Sequence, residues 1–176
     1  EAVEIDGNAA KGELAFLFDQ VIRIVHDAAA RAYPAANPTA SDRLAIVAVG
    51  GYGRGELAPF SDIDLLFLFP WKQTPHGEQI VEYMLYMLWD LKLKVGQATR
   101  SVDDCVRLAR GDLTIRTAML ETRYLWGDKK LFNLLRRRFY AEVADETGPE
   151  FVEEKLAEHD TRHDKMGGSR YVLEPN

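Results

Sequence analysis

With 176 residues, the chain is long enough for one domain plus a helical appendage and a substantial buried core. An apolar fraction of 47% beside 28% charged residues excludes disorder as the default, and a formal net charge of -6 speaks against broad, sequence-blind nucleic-acid binding. The single cysteine, Cys105, excludes an internal disulfide and a cysteine-based zinc site, and no apolar run reaches the ~18 residues of a membrane span.

In chain order, residues 11–33 read as an amphipathic helix, with Leu14, Leu17, Phe18, Val21, Ile22 and Val25 near a 3.6-residue period. Pro34, Asn37 and Pro38 end it and form a connector. Residues 43–49 are short, apolar and β-branched at Ile46, Val47 and Val49, which favours a buried strand. Residues 50–60 hold four glycines and Pro59, the composition of a loop with room for one helical turn. Residues 62–69 form a second apolar strand, 70–77 a turn, and 78–91 a helix with Ile80, Val81, Met84, Leu85, Leu88 and Trp89 facing inward. A third strand is expected over 93–100. Ser101 then caps a helix whose first turn carries Asp103 and Asp104, where the helix dipole favours negative charge. Cys105 falls in that helix as a buried thiol. Further helices are expected over 112–125, 129–143 and 149–165. The division that follows is an N-terminal helix and connector over 1–42, a core over 43–110 and a helical extension over 111–176. The first residues lack the pattern of a signal peptide, which places the chain in the cytoplasm. Its abrupt ends suggest a piece of something longer.

The chemistry is concentrated between Gly50 and Asp64. Successive strand residues point to opposite faces, so Asp62 and Asp64 project to one side while Ile63 and Leu65 point to the other. Two carboxylates so placed on an apolar strand repel each other and lose hydration, a cost that a cation offsets. Oxygen ligands on a rigid strand suit Mg²⁺, which keeps several waters and is often completed by substrate phosphates; Mn²⁺ is a possible substitute. Upstream, Gly50 and Gly51 end a buried strand where the main chain can approach a ligand and present free amides to an anion. Ser61 can donate its hydroxyl to a phosphate oxygen, and Arg54 can neutralise a phosphate tail. A phosphate cradle facing paired carboxylates is apparatus for phosphoryl or nucleotidyl transfer. The spacing fits neither a Walker A loop nor the dinucleotide Gly-x-Gly-x-x-Gly pattern.

The string Gly50-Gly51-Tyr52-Gly53-Arg54-Gly55-Glu56-Leu57-Ala58-Pro59-Phe60-Ser61-Asp62-Ile63-Asp64 resembles the signature of the polymerase-β-like nucleotidyltransferase superfamily. Within it, the chain is similar to the bifunctional PII uridylyltransferase/uridylyl-removing enzymes of bacterial nitrogen signalling, and the resemblance runs over nearly all of the chain after Arg43. It implies an α/β (α+β) polymerase-β-like fold, a small mixed sheet flanked by helices with a helical C-terminal extension. It also implies transfer of UMP from UTP to a tyrosine hydroxyl of the PII protein, with pyrophosphate released. Gly50, Gly51 and Ser61 would hold the triphosphate, and Asp62 and Asp64 would bind Mg²⁺ for two-metal-ion catalysis. The superfamily's third carboxylate, on the strand after the intervening helix, has no counterpart over residues 93–99, and family members often carry His where Gln97 stands. Asp90 is the nearest acid but closes the preceding helix. The phosphohydrolase and glutamine-sensing domains of the full-length family are not in this sequence. His163-Asp164 reads as a solvated helix face rather than a metal pair, as does Arg136-Arg137-Arg138 rather than a phosphate site. Arg116 and Arg123, seven apart on the expected helix, can share one face, either toward the nucleotide or in salt bridges with Asp112 or Glu121; Tyr52 is the aromatic nearest the site. Trp71, Trp89 and Trp126 read as core or interface residues. Two other readings stay open: the same fold with another acceptor, as in glutamine synthetase adenylyltransferase or a small-molecule enzyme, and a nucleotide-binding module without turnover.

Overall fold

The computed structural model describes residues 7–144 apart from Pro59, with side chains from Lys11 onward. The expected helix over 149–165 and the His163-Asp164 pair lie outside the described residues. Helix α1 spans Gly7–Ala32. It buries Ala15, Ile22, Val25 and Ala29, at steps of seven, three and four residues that fall on one face. Leu17, five residues before Ile22, is rotated off that stripe and is exposed. After the connector come β1 (Ala45–Ala48), the single-turn helix α2 (Gly50–Gly53) and β2 (Ile63–Phe69). Helix α3 (Pro75–Asp90) starts three residues earlier than the expected 78, because Thr74 accepts from the Gly77 amide at 3.1 Å and Pro75 suits the first helical turn. Its buried side is Ile80, Val81, Met84, Leu85 and Leu88, and Trp89 turns outward at 46% exposure.

Strand β3 (Val95–Ser101) leads directly into α4 (Val102–Gly111), where the Ser101 hydroxyl accepts from the Asp104 amide at 3.1 Å. Cys105 is fully buried on α4, and burial pushes its thiol up to about 12. Helix α5 is shorter than the sequence pattern gave, Leu113–Leu120, and is followed by a strand, β4, over Arg123–Gly127. Arg116 and Arg123 therefore do not share a helix. Tyr124 and Trp126 suit a pleated strand, and Gly127 at φ 88° ends it, packed so close to the Leu44 carbonyl that a Cβ would lie 2.2 Å from the oxygen. Asp128 accepts from the amides of Lys130 and Leu131 and starts α6 (Lys129–Phe139), which widens into a π turn over Tyr140–Ala144.

The four strands run in the order β3-β2-β1-β4. β1 is antiparallel to both its neighbours, and β2 and β3 are parallel, so the sheet is small and mixed as expected. Helices cover both faces. Ile46, Ile63, Leu65, Phe67 and Phe69 pack against α1 and α3, whereas Ala45, Val47, Leu66 and Leu68 pack with apolar residues of α4 and α6. Burial on two sides is why β1 and β2 read as unbroken apolar runs instead of alternating ones. Among the described residues no helix is long and apolar enough to cross a membrane.

Leu125 is fully buried in β4, whereas Leu120, at the end of α5, is 38% exposed. Leu125→Ala should therefore cost about 2–5 kcal/mol in urea unfolding, and Leu120→Ala less than about 1 kcal/mol. Equal costs would contradict the strand.

Candidate nucleotidyl-transfer site

The site forms where β1 ends and β2 begins. Ile63, the first residue of β2, is buried toward α1 and α3; Asp62 and Asp64 flank it and alternate to the opposite side. Asp62 is exposed, and Asp64 is partly buried. Burial, and then the charge of Asp62, raise the Asp64 carboxyl above the usual carboxylate range. Among the described residues, neither carboxylate has a hydrogen-bond or ion-pair partner.

Backbone geometry brings the glycine turn to this pair. The Val49 amide donates to the Asp64 carbonyl at 3.1 Å, fixing the end of β1 against β2. Gly50 then adopts φ 59°, and a Cβ there would sit 3.5 Å from Asp64 Oδ2, so the turn abuts the carboxylate. The first hydrogen bonds of α2 are donated by Gly53 to Val49 and by Arg54 to Gly50, both near 3.0 Å, which leaves the preceding amides of Gly50 and Gly51 without acceptors inside the turn. On the other side Gly96 pairs with Asp64 across β2 and β3, and a Cβ at 96 would fall 2.2 Å from Asp64 Oδ1. The carboxylate thus lies between two glycines: a side chain at 96 would collide with Oδ1, and one at 50 would strain a left-handed backbone. Gly96 is a site residue the motif did not single out; a lone glycine inside a strand pattern was the available signal.

The remaining predicted positions are at the rim. Ser61 is exposed and donates its hydroxyl to the Ala58 carbonyl at 2.8 Å. Arg54 lies beside Gly51 but is paired with Glu56 at 3.0 Å and Glu121 at 2.8 Å, which raise its already high pKa. Tyr52 does not face a nucleotide: it is 1% exposed, with its hydroxyl on Asp19. Arg116 is turned to the C-terminal end of α4, where it donates to the carbonyls of Ala109 and Arg110. Asp90 is the last residue of α3, and Gln97 faces α3 beside Leu85 and Trp89. On the face of Asp64, β3 offers Gly96, Ala98 and Arg100, none of them acidic. No group of three or more potential metal-ligating side chains occurs among the described residues. A cation here would take two carboxylates from the protein and fill its other positions with water and substrate oxygens, a donor set that suits Mg²⁺.

Residues 36–125, from the connector through the first half of β4, match the nucleotidyltransferase domain model. The chain belongs to the nucleotidyltransferase family. It is 60% identical over 171 residues to the bifunctional uridylyltransferase/uridylyl-removing enzyme of Rhodospirillum rubrum, and 65% identical over 162 residues to that of Azospirillum brasilense. These alignments cover 97% and 92% of the chain but only 18% and 17% of the relatives, so this nucleotidyltransferase chain spans under a fifth of their length. The resemblance seen in the glycine-to-aspartate string extends across the whole fold. A solved toxin-antitoxin structure with AMP-PNP aligns with 73% of this chain and 93% of its own at 17% identity and a TM-score of 0.41, too loose a likeness to add to the argument.

A raised carboxyl pKa has a consequence for stability. The folded state binds the Asp64 proton more tightly than the unfolded chain does, so the ionised group opposes folding above its folded pKa, and the penalty fades as pH falls through the carboxylate range. In EDTA at neutral pH, Asp64→Asn should raise the melting temperature by about 2 °C or more. The gap should narrow on acidification. A lower melting temperature for the variant at neutral pH would refute the electrostatic account.

Proposed function

We propose that this nucleotidyltransferase transfers UMP from UTP to a tyrosine hydroxyl of a PII-type signal protein and releases pyrophosphate. The observation that carries the reading is the Asp62–Asp64 pair, without a hydrogen-bond or ion-pair partner among the described residues, lying against a glycine turn whose first amides are free of helical acceptors. The names of the two relatives supply the uridylyl group. In this reading the amides of Gly50 and Gly51 receive the triphosphate, and Ser61 exchanges its bond to Ala58 for a phosphate oxygen. Arg54 stays tied to its two glutamates and orders the loop beside the phosphates. The acceptor oxygen forms a bond to the α-phosphorus, the bond from that phosphorus to the bridging oxygen breaks, and pyrophosphate carries off the electron pair; the tyrosine proton passes to solvent. Asp62 and Asp64 would hold Mg²⁺, which when bound offsets phosphate charge and lowers the pKa of the attacking hydroxyl.

The test is transfer of labelled UMP from UTP to PII by the protein and by Asp62→Asn and Asp64→Asn, each verified as folded. Both variants should lose at least about a thousandfold in rate, about 4 kcal/mol of transition-state stabilisation. A wild-type rate in either variant would remove the mechanism. UTP binding without pyrophosphate release in the presence of PII would instead favour a module without turnover, and preference for ATP another acceptor.

A further inference from the structure

The glycine turn is gripped from behind by a segment some seventy residues later in the chain. Arg123, the first residue of β4, donates from one terminal nitrogen to the Tyr52 carbonyl at 3.1 Å and to Asp19 Oδ1 at 3.1 Å, and from the other to Asp19 Oδ2 at 2.5 Å. Its guanidinium also lies over the Tyr52 ring, 5.3 Å from the centroid. The Tyr52 hydroxyl closes the network by donating to Asp19 Oδ1 at 2.8 Å. Two residues earlier, the Glu121 carbonyl crowds Gly53 so tightly that a Cβ there would lie 1.7 Å from the oxygen, and the Glu121 carboxylate holds Arg54 at 2.8 Å. Tyr52, Gly53 and Arg54, three consecutive residues of the turn, thus all meet residues 121–123. The turn's other end, Gly50, abuts Asp64.

Asp19 is 8% exposed, and a carboxylate so placed needs compensation. Tyr52 and the planar fork of Arg123 provide it, and the fork dictates direction as well as charge. Buried ion pairs are weak sources of stability compared with apolar packing, whereas a fixed geometry is what they can supply. The group fixed here is the peptide of Tyr52, one residue beyond the Gly50–Gly51 amides.

We propose that Asp19 and Arg123 are positioning residues that set the glycine turn against Asp64 and so fix where the triphosphate binds. This rests on the nucleotidyl-transfer reading above. Neither side chain touches the nucleotide; both act through Tyr52. The distinction from a merely structural role lies in substrate affinity within folded protein.

The experiment is equilibrium binding of UTP with Mg²⁺ to the full-length protein, without acceptor, at a temperature where circular dichroism shows every variant folded. Arg123→Lys keeps the charge but loses the fork, and Asp19→Asn loses the charge but keeps the shape; each should weaken UTP binding about tenfold. The double variant should be no weaker than the worse single one, since both break one network. Tyr52→Phe, which removes only the hydroxyl, serves if Arg123→Lys does not fold, with an expected loss of about threefold. Variants that bind UTP within a factor of two of wild type would overturn the positioning role. Wild-type protein that binds no triphosphate would instead overturn the reading on which it rests.

Discussion

The structure turns on a carboxylate held where water alone does not stabilise it. Asp64 sits one residue inside β2, partly buried, with Asp62 beside it and no hydrogen-bond or ion-pair partner among the described residues. It cannot swing away by sliding its strand, because a shift of one residue would turn Ile63, Leu65, Phe67 and Phe69 out of their layer to the opposite face and drive the acids into the apolar layer between the sheet and α1. The cost of ionising Asp64 is therefore locked in by the apolar packing on the opposite face. Such a penalty is tolerable in a small domain only when the rest of the fold exceeds it, and a sheet covered on both sides provides that margin.

The same constraint accounts for the glycines around the pair. Gly96 leaves the space that Asp64 Oδ1 fills, and Gly50 combines a left-handed backbone with an empty position next to Oδ2. An alanine at 96 would push the carboxylate off its position, whereas one at 50 would meet Oδ2 at ordinary contact distance but be strained in its backbone. The absence of an acidic residue at 96 or 98, on the face where a third ligand would stand, fits this packing at Gly96, where the space is already taken. Two carboxylates would then leave much of a cation's coordination to water and phosphate, which would couple metal affinity to the presence of the nucleotide.

How much of this was legible in the sequence depends on whether the cause was local. Alternation alone put Asp62 and Asp64 on one side and Ile63 on the other, and the apolar runs of β1 and β2 with their intervening glycines gave the strand-turn-strand frame. The strand β4 was not legible, since residues 113–125 keep a helix-like apolar spacing and the break at Glu121 and Thr122 carries neither Gly nor Pro. What makes Arg123–Gly127 a strand is the free edge of β1, a tertiary cause that outweighs local preference. Trp89 and Leu17 were misplaced for a geometric reason: each lies at the margin of an apolar stripe, where a few tens of degrees decide between core and solvent. Tyr52 and Arg123 were each visible as residues of interest, but their shared partner Asp19 lies 33 and 104 positions away, and no local pattern signals a pairing at that range.

The topology explains why these distant pieces meet. β1 lies between β2 and β4 and runs antiparallel to both, so the end of β1 must lie beside the beginnings of its two neighbours. Ala48, the last residue of β1, pairs with Leu65 on one side and Arg123 on the other. The turn leaving β1 therefore emerges between Asp64, at the start of β2, and Arg123, at the start of β4. One flank presents a repulsive carboxylate pair and the other a guanidinium anchored to α1. The glycine turn is held on its β4 side and left open on its β2 side, where a triphosphate and its cation would complete the charge balance. A fold with β4 absent would keep the motif intact in sequence but lose the Arg123 fork that ties the Tyr52 carbonyl to Asp19, one of the contacts that set the turn against Asp64. The residues beyond position 110 are for this reason part of the site's construction, although none of the acidic or glycine residues of the motif lies there.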